Sequence, residues 1–278
     1  SQTRNLIALA LAEDIGTGDL TAESVVPEMA TASGTMLLKQ PGVISGMEVV
    51  AAVFATVDPA IHWTPRATNG THYPDRTPLG EVTGPARSIL TAERTALNFL
   101  QRLSGIATAT ATYAAAVAGT SAVVVDTRKT TPGMRVLEKA AVRHGGGANH
   151  RMGLFDGVLI KDNHIAAMGG DAAIGQIVRQ ARSLVPHTVR IEIEVATLDQ
   201  LALALQAGAD IIMLDNMDPD TMREAVRITD GRAILEASGG ITLATIGEIA
   251  RTGVDLISVG ALTHSSPSLD ISLDLTIA

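Results

Sequence analysis

The chain has 278 residues and a formal charge of −8, with 46% hydrophobic residues, 2% aromatic residues and no cysteine. The missing thiols exclude disulfides, thiolate nucleophiles and thiolate metal sites, and the acidic balance argues against a general nucleic-acid surface. No apolar run reaches membrane-spanning length, so the expectation is a cytoplasmic protein with no membrane or nucleic-acid partner, its core built from Ala, Val, Ile and Leu.

Residues 4–13 read as a helix that the run Asp14-Ile15-Gly16-Thr17-Gly18-Asp19 breaks. The apolar run Leu6 to Ala12 is short and is followed at once by Glu13 and Asp14, so it reads as a helix face rather than a signal peptide. Strand-like stretches follow near 33–39, 42–45, 60–66 and 79–84, with a helix from Met47 to Val57 and turns at Asn69-Gly70 and Pro74-Asp75. This first part is an α+β unit of antiparallel character. From Thr91 to Ala118 the spacing is helical, and the break at Ser104-Gly105 suggests two helices joined there.

Strands and helices then alternate. Strands are expected over 122–126, 157–161, 189–195, 210–215, 233–238 and 255–260. Between them come helices over 133–144, 171–183, 198–207, 219–228 and 242–251, each crossover long enough for a right-handed βαβ unit. Six strands that all place chemistry at the same end describe the rim of an α/β barrel. A further strand could be hidden near 106–115 or 144–150. The expected division is a first domain over 1–105 and a barrel over 106–266, with the alternating tail within 267–278 returning to the first domain.

The first strand delivers Arg128 and Lys129 into a Thr-Pro-Gly loop, and two adjacent cations at a strand end suit an anion. Arg128, Lys129, Arg135, Lys139, Arg143 and Arg151 face only Glu138 as counter-charge, a basic pocket in an acidic protein. In the glycine run before His150 and Arg151, a loop folding over a bound anion is expected, with arginine gripping a carboxylate and His150 donating to a second. Lys161 at the next strand end is either an imine former or an anion ligand, and the surrounding cations favour the anion. Glu194 and Asp215 end consecutive strands and could share a divalent ion or flank a developing cation, whereas Glu192, one layer deeper, reads as a buried charge paired with a basic residue. Ser238-Gly239-Gly240 and Gly260 to His264 are small-residue loops of the kind that hold phosphate, helped by a helix expected to start near Thr242. Arg94 alone reads as a helix-surface residue.

The assembled pattern resembles the quinolinate phosphoribosyltransferases, also called decarboxylating nicotinate-nucleotide pyrophosphorylases. The likeness runs from Glu13-Asp14-Ile15-Gly16-Thr17-Gly18-Asp19 to Leu262-Thr263-His264-Ser265. Its most specific parts are Glu93 to Asn98, Asp126 to Pro132, Gly146 to Arg151, Lys161-Asp162-Asn163-His164 and Leu214-Asp215-Asn216. The resemblance implies an N-terminal α+β sandwich, an incomplete α/β barrel of about seven strands, and a homodimer. The implied reaction joins quinolinate to 5-phosphoribosyl-1-pyrophosphate with Mg²⁺, giving nicotinate mononucleotide, pyrophosphate and CO₂ in NAD biosynthesis. It further implies that Arg128, Thr130, His150, Arg151 and Lys161 contact substrate, and that Lys129, Glu194 and Asp215 serve catalysis, the two carboxylates also meeting the metal. Ser238, Gly239, Gly240, Gly260 and His264 would hold the 5-phosphate, and Arg94 would enter from the neighbouring subunit. A molybdenum-associated relative of this barrel, a class I aldolase and a non-enzymatic anion-binding protein are the competing readings.

Overall fold

Alternating exposure along β1 (Thr31–Leu38) places every second side chain in a core, the two-residue period of a half-buried strand. In the computed structural model, which describes residues 1–278, this strand belongs to a unit of residues 1–111, 130–146 and 263–278. The unit opens with α1 (Gln2–Ile15) and α2 (Leu20–Val25). After β1 come β2 (Gly42–Val43), α3 (Met47–Val57), β3 (His62–Pro65), β4 (His72–Tyr73) and β5 (Pro78–Pro85). The strands β1, β3 and β5 pair antiparallel, and β2 pairs with β4 in a separate short ribbon. Next, α4 (Ala86–Ala116) runs unbroken through Ser104-Gly105, so the two helices expected there are one. A glycine inside a helix costs about 1 kcal/mol relative to alanine. Packing outweighs that cost here, because a Cβ on Gly105 would lie 2.0 Å from the Pro267 carbonyl oxygen.

The second unit comprises residues 112–129 and 147–262. Its parallel strands are β6 (Val123–Val125), β7 (Val158–Ile160), β8 (Ile191–Val195), β9 (Ile211–Asp215), β10 (Ile234–Ser238) and β11 (Leu256–Ser258). They pair in the order β6-β11-β10-β9-β8-β7. The helix α5 (Arg135–His144) follows β6 in the chain but belongs to the first unit. Next in sequence come α6 (Asp162–Ala167), α7 (Ile174–Leu184), α8 (Leu198–Ala207), α9 (Pro219–Thr229), α10 (Ile246–Ala250) and α11 (Ala261–His264). Thr197 caps α8, and Asp218 caps α9 with Pro219 in its first turn, each satisfying amide groups that the helix leaves open. A seventh parallel contact is a single bridge between Val125 and Ala148, inside the glycine-rich segment suspected of hiding a strand. The alternative at 106–115 is helical. No ladder joins β7 to Ala148, and the barrel stays open along that line.

The tail forms β12 (Ile271–Ile277), which pairs antiparallel with β1 and completes the sheet order β12-β1-β5-β3. The first unit also contains residues 130–146, which sequence assigned to the barrel. Their anchor is Glu138 on α5, fully buried and paired with Arg102 of α4 at 3.0 Å. Glu138 also accepts from Thr131 N (3.1 Å) and Thr131 Oγ1 (2.8 Å), while Arg102 donates to the carbonyls of Thr263 and Ser266. Removing one partner of a buried pair leaves an uncompensated charge, so Arg102→Ala should lower the unfolding free energy by about 3 kcal/mol. Adding Glu138→Leu should recover part of the loss in urea unfolding; strictly additive losses would show that the two residues do not act as a pair.

Candidate active site

The strand ends of the second unit build the site. β6 stops at Val125, and Asp126 follows with its side chain fully buried. Its carboxylate accepts from Asn149 Nδ2 at 2.7 Å and from the His150 amide at 2.8 Å, so it fixes the loop that carries His150 and Arg151. β7 ends into Lys161, whose amide donates to His164 Nδ1 at 2.9 Å and whose ammonium reaches Glu194 Oε2 at 3.1 Å. Arg128, Lys129, Arg151 and Lys161 share a cavity of about 570 Å³ with the carboxylates Glu194 and Asp215. His150 and the loop Ser238-Gly239-Gly240 line the same space. Ten of the sequence-predicted site residues therefore meet at one end of one sheet. Burial, and then the Arg128 charge beside it, hold the Arg151 guanidinium below its ordinary pKa, with Glu192 and Asp156 opposing.

Four predicted residues lie elsewhere. Arg94 is exposed on α4, Thr130 Oγ1 accepts from Arg135 Nε at 2.9 Å, and His264 Nδ1 lies 2.6 Å from Ser265 Oγ, all three in the first unit. Gly260 follows β11 in the second unit but does not line the cavity. The helix expected near Thr242 begins instead at Ile246 and has five residues, because Thr242 and Thr245 bond each other in a local turn. Its amino end therefore lies further along the chain from the Gly-Gly loop than the sequence suggested. That loop has a different constraint: a Cβ on Gly239 would fall 2.3 Å from Asn216 Oδ1. Asn216 in turn donates to Asp215 Oδ1 at 3.0 Å through its amide side chain, and its backbone N–H reaches the Ser238 carbonyl at 2.9 Å.

Comparison with known proteins gives this arrangement a family. The family model described as quinolinate phosphoribosyl transferase, C-terminal domain, matches residues 106–274, and the corresponding N-terminal domain matches residues 19–104. The chain belongs to the quinolinate phosphoribosyltransferase family. It is 44% identical over 278 residues to the nicotinate-nucleotide pyrophosphorylase [carboxylating] of Mycobacterium leprae, covering 98% of this chain and 96% of that one. It is 41% identical to quinolinate phosphoribosyltransferase [decarboxylating] 1 of Nicotiana glauca, over 98% of this chain and 82% of the relative. The solved nicotinate-nucleotide pyrophosphorylase from Francisella tularensis superposes with a TM-score of 0.93 at 40% identity, over 99% of this chain and 96% of that one.

Beneath the cavity of this phosphoribosyltransferase lies a cluster that sequence reasoning missed in part. His150 Nε2 is 3.0 Å from Glu192 Oε2 and 3.7 Å from Glu236 Oε2, and both glutamates are buried. Glu192 is thus the inward charge with a basic partner that strand alternation predicted. Glu236 escaped notice, although a lone acid inside Ile234-Leu235-Glu236-Ala237 was a visible signal. One histidine and two carboxylates are also a metal-ligand set, but the ring chemistry opposes it. Nδ1 accepts from the Arg151 amide at 2.7 Å, which places the ring proton on Nε2 and presents an N–H, not a lone pair, to the glutamates. Burial chiefly, and then the Glu192 charge, push the Glu236 carboxyl up to about 7, with His150 and the Ser258 hydroxyl opposing.

Asp126→Asn would turn one acceptor into a donor facing Asn149. The expected loss is about 2 kcal/mol of stability, with faster hydrogen exchange at the Ala148 and His150 amides. Unchanged exchange there would show that Asp126 does not hold the loop.

Proposed function

We propose that this protein transfers the phosphoribosyl group of 5-phosphoribosyl-1-pyrophosphate to quinolinate with loss of CO₂, giving nicotinate mononucleotide and pyrophosphate in a cytoplasmic setting. One observation carries this reading within the family: four cations line a single cavity with the carboxylates Glu194 and Asp215 at its strand ends and the buried Glu236 at its floor, a balance that suits a dianionic pyridine, a pyrophosphate and a cationic transition state. Displacement at ribosyl C1 passes through an oxocarbenium-like state, so Glu194 and Asp215 stabilise the ring while cations stabilise the departing pyrophosphate. Arg128, Arg151 and Lys161 take the two quinolinate carboxylates, and Lys129 lies between substrate and pyrophosphate. His150 engages Arg151 N–H and Glu192 through its two ring nitrogens, which orients the Arg151 segment from within. Ser238, Gly239 and Gly240 hold the 5-phosphate, with Gly260, His264 and Thr130 as further substrate contacts.

Glu194 and Asp215 supply hard oxygen donors on adjacent strands of one cavity, and such a pair fits Mg²⁺ that keeps several waters and substrate oxygens. Bound Mg²⁺ supplies charge neutralisation on the pyrophosphate. Ribosylation precedes decarboxylation in this scheme, because the cationic ring nitrogen then accepts the electron density left at C2.

The deciding assay is release of ¹⁴CO₂ from carboxyl-labelled quinolinate, which should require both the phosphoribosyl donor and Mg²⁺. Release without the donor would reverse the order of steps, and no release from folded protein would remove the reaction. We further propose a homodimer in which Arg94, exposed on α4, serves the neighbouring subunit. Mixing Arg94→Ala and Lys129→Ala proteins should restore part of the activity through hybrid sites; no recovery after verified subunit exchange would defeat the shared site.

A further inference from the structure

Glu236 is the least satisfied polar group in the barrel. Both of its carboxyl oxygens are buried and neither makes a well-formed hydrogen bond: the Ser258 hydroxyl approaches it only loosely and His150 Nε2 stays 3.7 Å away, while the residue is 1% exposed. Glu192, not Glu236, makes the close contact with the His150 ring. Burying a carboxyl this poorly partnered is costly, so a structural role alone is a poor account of it.

Its surroundings suggest what the group does. Two cavities meet at Glu236: the 570 Å³ space at the carboxyl ends of the strands and a second of about 340 Å³ at their amino ends. Both are bordered by His150, Arg151 and Glu236, so this residue stands in the partition between them. From the loop after Ala148 it faces His150 and Arg151; from β8 it faces Glu192, with Arg190 just ahead of that strand. Its register partners on β9 and β11 are the uncharged Met213 and Leu256. The upper cavity adds Arg128, Lys129, Lys161, Glu194 and Asp215, and the lower one Asp156.

We propose that Glu236 is the proton donor that replaces the lost carboxylate at C2 of the pyridine ring. The inference rests on the decarboxylating reaction above. After N-ribosylation the bond between C2 and the carboxylate breaks, CO₂ leaves, and the bonding pair stays on C2. The Glu236 proton forms the new C2–H bond, Glu236 becomes a carboxylate, and a proton from solvent in the lower cavity restores it. Without a donor the C2 carbanion recaptures CO₂, so proton delivery commits the step. A carboxyl raised to about 7, chiefly by burial, keeps a substantial protonated fraction at neutrality, where an ordinary glutamate has almost none, and loses its donor form as pH rises through that value.

The test follows a single turnover of wild type, Glu236→Gln and Glu236→Asp with labelled quinolinate, phosphoribosyl pyrophosphate and Mg²⁺. Equal H₂O and D₂O in the medium lets mass spectrometry read the H/D ratio at C2 of the product. Glu236→Gln should slow CO₂ release by about 100-fold or more and leave quinolinate affinity within about threefold of wild type. It should also change the H/D ratio and abolish the fall in rate above pH 7, which a residue acting only on structure would leave in place. Glu236→Asp should keep at least about one-tenth of the wild-type rate. A Gln variant with wild-type rate and H/D ratio overturns the proposal, as does a loss confined to quinolinate affinity. If Glu236→Gln does not fold, an unaltered H/D ratio and pH dependence in Glu236→Asp overturns it equally, and a shift in both upholds it. Wild type that turns over beside an unaffected variant removes this inference alone; wild type that releases no CO₂ removes the reaction and the inference together.

Discussion

A buried aspartate holds the active-site end of this barrel together. Asp126 has no exposed surface and accepts from a side-chain amide and a backbone amide of the same loop. Hydrogen bonds to a charged acceptor are worth about 1.5–3 kcal/mol each, more than a neutral contact supplies. They fix the backbone beside the single Val125–Ala148 bridge, where no regular ladder could. The positions of His150 and Arg151 follow, and with them one wall of the cavity.

The site is layered by charge. Cations stand at the strand ends, and the carboxylates Glu194 and Asp215 share that level. Glu192 and Glu236 lie one layer deeper, with the His150 ring against Glu192. Acid beneath cation suits the order of steps proposed above, with positive charge developing on a sugar and negative charge on a ring carbon. A purely basic pocket would bind the two substrates and favour neither step.

Much of this was legible because the strands advertise their ends. The apolar runs before Lys161, Glu194, Asp215 and Ser238 stop at the residues that reach the cavity, and the helix from Met47 to Val57 appears over the expected residues. What failed depended on distant contacts or on local competition. Gly105 looked like a break because its propensity is visible in sequence, whereas the Pro267 carbonyl that demands it is far along the chain. Thr242 looked like a helix start because its hydroxyl partnership with Thr245 is one of several conformations such residues favour. The Ala148 bridge is a single residue, too short to leave a period. Glu236 is inward only by virtue of the sheet around it, and neither its burial nor its missing partners can be counted before the strands are placed.

The open line between β7 and Ala148 gives this barrel a property that a closed one lacks. A sheet hydrogen-bonded all the way round resists any change in girth, since each strand is held on both sides. Here the circumference can lengthen at one seam without breaking an inter-strand bond. Arg151, Gly157 and Val158 line the lower cavity beside that seam, where the Arg151 guanidinium donates to the Gly157 carbonyl at 3.1 Å, a side-chain tie in place of a ladder. The strands bearing Glu194, Asp215 and Glu236 are each held by ladders on both sides, so a change in girth would fall first on the seam and on the segment that carries Arg151.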